Sequence, residues 1–231
     1  MRPKDGYASI STVNMGFLNL GLNLSENTFV RLMSAAAPYA PMDGMNEKGL
    51  CVAVLMIEDR PGFDQNTEKP DLTTTTAIRL LLNKAANVDE ALDLLRQYDI
   101  HASMGLMVHF AIGDNTGRGV VVEYVDNQMV VTETPVVTNF YLAEGSKHGI
   151  RSQQSHERYD ILTQMLKDRT AMTVEEVLCK SFDVRAALRG NRVLYLEDGK
   201  PLDKLALPVY EADSAKERET QLNRWLSALQ W

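Results

Sequence analysis

The stretch Asp43-Gly44-Met45-Asn46-Glu47-Lys48-Gly49-Leu50 runs directly into Cys51-Val52-Ala53-Val54-Leu55-Met56-Ile57, and this junction constrains the fold more than any other part of the chain. Asp-Gly followed by Asn-Glu-Lys-Gly is turn chemistry. Glycine tolerates positive φ, and Asn and Asp side chains bond back to nearby backbone. The apolar run after the turn is short, uncharged and rich in β-branched residues, which is the pattern of a buried strand. Together they predict a hairpin feeding a sandwich core.

The rest of the 231 residues shows no repeat, no low-complexity linker and no internal boundary, so one domain spanning 1–231 is expected. A net charge of −7 argues against a nucleic-acid partner, which would want a basic face. No apolar stretch is long enough to span a bilayer. Met1-Arg2-Pro3-Lys4-Asp5 opens no signal-type segment. Two distant cysteines, Cys51 and Cys179, suit a reducing compartment, and a cytoplasmic location is expected.

Periodicity and turn signals place the elements. Gly6 to Asn14 reads as a strand, and Ser25-Glu26-Asn27 as the cap of a short helix through Met33. Ile78, Leu81, Leu82 and Ala85 mark a helix from Thr75 to Ala86, with the Thr73–Thr76 run as its cap. A second helix restarts at Asn87 and runs through Gln97. Strands are expected at Leu106–Gly113 and Gly119–Val125, joined by the Asp114-Asn115-Thr116-Gly117 turn. Asp126-Asn127 then turns into Met129–Thr132, followed by a strand at Val136–Asn139. Helices follow at His156–Lys167 and Val174–Ser181, then a strand at Arg192–Leu196 and a polar helix at Ala215–Leu229. The order fits an α+β fold with helices on antiparallel sheets.

As a string, DGMNEKGL resembles the turn and strand of the choloylglycine hydrolases and penicillin V acylases, linear amide hydrolases of the cysteine N-terminal-nucleophile superfamily. The resemblance extends over most of Pro3 to about Leu166 and is loose from about residue 171 onward. It implies a four-layer αββα sandwich. It also implies cleavage of an N-acyl amide, such as a conjugated bile salt or penicillin V, by an N-terminal Cys whose own amine is the base. Pro3 to Ser11 resembles the strand that follows the family's first hairpin, so the resemblance implies a chain truncated before the nucleophilic Cys and the Arg and Asp that accompany it.

Three site residues are carried over. Asn139, in Val137-Thr138-Asn139, resembles the side-chain donor to the oxyanion. Met56 falls where the family supplies a backbone N–H donor, usually from Asn or Tyr, and Arg158, in Ser155-His156-Glu157-Arg158-Tyr159, resembles the late arginine near the nucleophile. Without the resemblance, Asn139 is a turn or cap residue, Arg158 a solvated charge and Met56 core. Cys51 lies inside an apolar strand and Cys179 beside Val177 and Leu178, so both read as core. His101, His109, His148 and His156 show no metal spacing, and neither a metal nor a cofactor is expected.

The expected partner is a small N-acyl amide, with no nucleic acid and no membrane. Self-association through an exposed sheet edge is a further expectation. Two alternatives stay open: an inactive protein that binds an acyl ligand, and an acyl-CoA-dependent N-acyltransferase of the same fold.

Overall fold

The computed structural model describes residues 1–13, 37–57, 59–150, 153–167, 196–197 and 200–201. The chain groups into two compact units, Met1–Ser152 and Gln153–Trp231. The helices expected near Ser25, at Val174–Ser181 and at Ala215–Leu229 lie outside the described residues, as does Cys179.

The first unit is built on one six-stranded sheet, every neighbouring pair of which is antiparallel. Its strands are β1 (Ser9–Thr12), β2 (Asp43–Asn46), β3 (Cys51–Met56), β6 (Val108–Gly113), β7 (Gly119–Val125) and β8 (Gln128–Glu133), in the spatial order β1-β2-β3-β6-β7-β8. Between β3 and β6 the chain makes β4 (Asp71–Thr73), helix α1 (Thr74–Lys84), helix α2 (Val88–Leu95) and β5 (Asp99–His101). β4 and β5 form a separate parallel pair that sequence patterning does not signal. The architecture is α+β, and the described residues of this unit supply one six-stranded sheet, the small parallel pair and one layer of helices.

The hairpin at 43–56 forms as expected. Gly49 takes φ 88°, and a Cβ there would stand 2.8 Å from the Asn115 Cβ. Asn46 does more than turn the chain. Its Oδ1 accepts from the N–H groups of Lys48 (3.0 Å) and Leu50 (3.1 Å), while its Nδ2 donates to the carbonyls of Leu82 (3.1 Å) and Ala85 (2.7 Å). Those carbonyls belong to the last turn of α1, where no intrahelical N–H remains to satisfy them. One buried side chain thus closes the hairpin and caps the helix behind it.

α1 begins where the threonine run predicts. Thr73 is its N-cap, and Thr76 returns a bond to the Thr73 N–H at 2.9 Å, completing a capping box. Asn87 caps α2 through the Glu90 N–H at 3.0 Å. The helices lay Ile78, Leu81, Leu82, Ala91, Leu92 and Leu95 against one face of the sheet, where Val52, Phe110, Ile112, Val120 and Val122 meet them. Arg79 is also buried there, donating to the hydroxyls of Ser9 (3.0 Å) and Ser11 (2.8 Å) and so tying α1 to β1.

Asp126 and Asn127 both adopt positive φ (50° and 62°), the geometry of a primed turn matched to strand twist. The strand expected at Val136–Asn139 is not formed. Pro135 has no N–H to offer a ladder, and the Thr134 hydroxyl captures the Val136 N–H (3.1 Å) and carbonyl (2.9 Å), turning the backbone away from β8. Chain from Val136 onward instead crosses the second face of the sheet, the face carrying Cys51, Ala53, His109, Ala111, Val121 and Glu123.

The described parts of the second unit are helix α3 (Gln153–Leu166), which starts three residues before the expected helix and ends one residue short of it, and a short antiparallel pair, β9 (Leu196–Glu197) and β10 (Lys200–Pro201). No described helix is long and apolar enough to cross a membrane.

Candidate active site

The end of β3 is where two of the three sequence-derived residues, Met56 and Asn139, meet. Alternation along a strand sends successive N–H groups to opposite neighbours. In β3 the Val54 N–H goes to the Met42 carbonyl (3.0 Å) on the β2 side, and the Ile57 N–H to the Met107 carbonyl (2.9 Å) on the β6 side. The N–H and C=O of Met56, between them, therefore point to the β2 side, beyond the end of β2. Asn139 reaches this spot from a segment 83 residues away, and its Nδ2 donates to the Met56 carbonyl at 2.8 Å. The Asn139 amide and the Met56 N–H thus share one side of one strand end.

Two further ties join the same segments. Asp59, three residues past Met56, accepts from the buried Tyr141 hydroxyl (2.8 Å) and from Lys147 Nζ (2.9 Å). The Lys147 bond, helped by Tyr141, outweighs the cost of burial and holds Asp59 below the usual carboxylate range. Burial first, and then the Asp59 carboxylate, pushes the Tyr141 phenol up, so it remains a donor.

Around the bend, the wholly buried Glu123 of β7 accepts from the N–H groups of Leu142 and Ala143, and from His109 Nδ1 on β6 at 3.0 Å. Sequence reading passed over this pair. Both signals were available: a carboxylate inside the apolar run Gly119–Val125, and a hairpin register about Thr116 that sets residue 109 opposite residue 123.

Arg158, the third sequence-derived residue, lies on α3 in the second unit, where its Nη2 donates to the Ser155 hydroxyl at 3.2 Å. Cys51 stands at the opposite end of β3 from Met56, about 16 Å away at strand rise. It is half-buried rather than in the core, and desolvation pushes its thiol up, away from the thiolate a nucleophile needs.

On the helix side of the strand end, a cavity of about 80 Å³ is lined by Met42, Val54, Met56, Met104, Leu106 and Val108. His101 lies between the carboxylates of Asp64 and Asp71, each on one ring nitrogen, as an ion-paired cluster. The described residues contain no group of three or more His, Cys, Asp and Glu placed to hold a metal ion.

The family model for linear amide C-N hydrolases, choloylglycine hydrolase family, matches residues 12–177. Similar solved structures include a mutant of the conjugated bile acid hydrolase from Clostridium perfringens, 18% identical with a TM-score of 0.46, over 63% of this chain and 59% of that one. A second variant of the same hydrolase is 17% identical with a TM-score of 0.44 over the same shares. The penicillin V acylase from Agrobacterium tumefaciens is 20% identical with a TM-score of 0.41, over 83% of this chain and 52% of that one. The chain therefore spans between 52% and 59% of the length of these structures. No curated protein matches the chain.

Proposed function

The chain belongs to the linear amide C-N hydrolases, choloylglycine hydrolase family, and from that premise we propose that its strand end at Met56 forms the oxyanion-binding half of an amide-cleaving site. The observation that carries the proposal is the 2.8 Å bond from Asn139 Nδ2 to the Met56 carbonyl. It turns the Asn139 amide toward the side of β3 to which the Met56 N–H also points.

When a thiolate adds to an amide carbonyl, the carbonyl oxygen gains a full negative charge, and fixed donors lower that barrier without having to reorganise. The Asn139 side chain and the Met56 N–H would be those donors. Arg158, on α3, is proposed from the family resemblance alone as the late arginine of that chemistry. The apolar cavity beside Met56 supports an apolar acyl group over a charged one.

The nucleophile in this proposal is an N-terminal Cys acting through its own amine. Neither Cys51, for the reasons of distance and burial above, nor Cys179 takes that part. Thiol attack gives a thioester and releases the amine, and water then releases the acid. An amine in place of water would make the same site an N-acyltransferase, using an acyl-CoA as donor. A second reading is a non-catalytic protein that binds the acyl group alone, in the apolar cavity beside Met56. We keep the chain as one cytoplasmic domain in either case.

The test is amidase assay of the chain carrying a Cys-led N-terminal hairpin, with phenoxyacetyl and glycine-conjugated amides as substrates. Activity that falls about a hundredfold in Asn139→Ala is the expected result. Wild-type rates in Asn139→Ala overturn the oxyanion assignment. No hydrolysis, with retained binding of the acyl amide, leaves the second reading in its place.

A further inference from the structure

We propose that Glu123, backed by His109, is a positioning residue for Asn139. The inference rests on the oxyanion reading of Asn139 and adds what holds that side chain in place. Asn139 belongs to no strand. Its segment is tied down again just beyond it. The Glu123 carboxylate accepts from the Leu142 N–H at 3.0 and 3.1 Å through its two oxygens, and from the Ala143 N–H at 2.6 Å through Oε2. His109 Nδ1 supplies one more partner at 3.0 Å.

A carboxylate at 1% exposure is costly to bury, and a hydrophobic residue of similar volume would fill such a place without that cost. Here the charge is matched by donors drawn from a passing loop and a neighbouring strand, so what it secures is the course of that loop. Leu142 is three residues from Asn139, a span of at most about 10 Å even when extended. Fixing Leu142 and Ala143 on β7 therefore fixes how far Asn139 can stray from the Met56 carbonyl on β3. The Tyr141 hydroxyl on Asp59 closes the same segment against the chain that leaves β3.

His109 sets the rotamer of the clamp. It stands between Leu55 of β3 and Glu123 of β7, is fully buried, and its ring nitrogen prevents the carboxylate from swinging away from the loop. The other ring nitrogen has no hydrogen-bond partner among the described residues, where the ring's polar contact is the one to Glu123.

The experiment follows the Asn139 side-chain amide by NMR in the 231-residue chain and compares Glu123→Gln with Val122→Ala. The second variant loosens the opposite face of the same strand and serves as the control for stability. In Glu123→Gln the side chain keeps its shape but offers one acceptor oxygen in place of two, so the Leu142 N–H, which bonds both carboxylate oxygens, loses one of its acceptors, while His109 Nδ1 in its other tautomer can accept from the NH2. The expected result is that the shifted, slowly exchanging Asn139 NH2 pair collapses to water-like values in Glu123→Gln and persists in Val122→Ala. Unchanged Asn139 signals in folded Glu123→Gln overturn the inference.

If Glu123→Gln does not fold, His109→Leu and His109→Asn carry the test. The Asn amide sits near the His Nδ1 position, so it restores the Asn139 signals that Leu loses; equal signals in the two variants overturn the inference. In an active form of the protein, Glu123→Gln lowers kcat tenfold or more and leaves KM within twofold. Collapse of the NMR signals in a protein with no amidase activity sinks the hydrolase reading and keeps the clamp. Full kcat in Glu123→Gln with activity present does the reverse.

Discussion

Replacing Asn46 by Ala should be among the most damaging single changes outside the core, and the loss can be worked from its four hydrogen bonds. Two are accepted, from Lys48 and Leu50 N–H, and two are donated, to the carbonyls of Leu82 and Ala85. Each bond is worth about 1 kcal/mol net, or about 1–3 kcal/mol where its loss leaves a buried partner unsatisfied. Leu50, Leu82 and Ala85 are all fully buried, so water cannot replace the lost partners cheaply. Lys48 is exposed and its N–H can be rehydrated. The expected loss is about 4 kcal/mol, against a total stability of about 5–15 kcal/mol for an ordinary domain.

The assay is urea unfolding. With a slope of about 2–3 kcal/mol per molar, the midpoint should fall by about 1.5 M with the slope unchanged. Asn46→Asp sharpens the test. It keeps an acceptor for the two N–H groups but sets a carboxylate against two carbonyl oxygens at the C-terminal end of α1, the negative end of the helix dipole. Near neutral pH it should fall at least as far as Ala, and recover part of the loss once the carboxyl is protonated and can donate. A midpoint shift below about 0.3 M in Asn46→Ala would refute the claim that this one side chain closes both the hairpin and the helix.

Thr73→Ala removes the capping box of α1 and should cost about 1 kcal/mol, read as a small fall in the same urea midpoint. Tyr124 is 1% exposed and its hydroxyl has no hydrogen-bond partner among the described residues, while its ring stacks on Phe63 at 4.6 Å. Tyr124→Phe should therefore be neutral or stabilising by up to about 1 kcal/mol, and a loss above that would reveal a partner for the hydroxyl. His101, hydrogen-bonded to Asp64 and Asp71, has its pKa raised in the folded state. The pair's stabilisation is thus complete below the ordinary histidine value of about 6.5 and is lost as pH rises through the higher folded value. The thermal midpoint should decline across that window, and His101→Gln should flatten the decline.

What could be read from residues was local. Turn residues at Asp43–Gly49, Asp114–Gly117 and Asp126–Asn127 carry their own backbone preferences, so the hairpins they close were visible without any partner strand. The apolar spacing in α1 and α2 named the face each helix buries. The strand expected at Val136–Asn139 failed for a reason also local but overlooked, since Pro135 and the Thr134 hydroxyl divert the chain before a ladder can form. The parallel pair β4 and β5 escaped because three-residue strands have too few positions to show alternation, and because their pairing is decided by the two helices between them.

DGMNEKGL, on its own, identified the family and the hairpin, because a turn and the strand that follows it are encoded within a dozen residues. That Asn46 also caps α1, that Asn139 meets the Met56 carbonyl, and that Glu123, bonded to His109, accepts from the Leu142 and Ala143 N–H groups were decided only by the tertiary structure. Each of these joins groups separated by 14 to 83 residues. A hydrogen bond depends on direction within a few tenths of an ångström, and residue order carries no such coordinate until packing of the helices on the sheet supplies it.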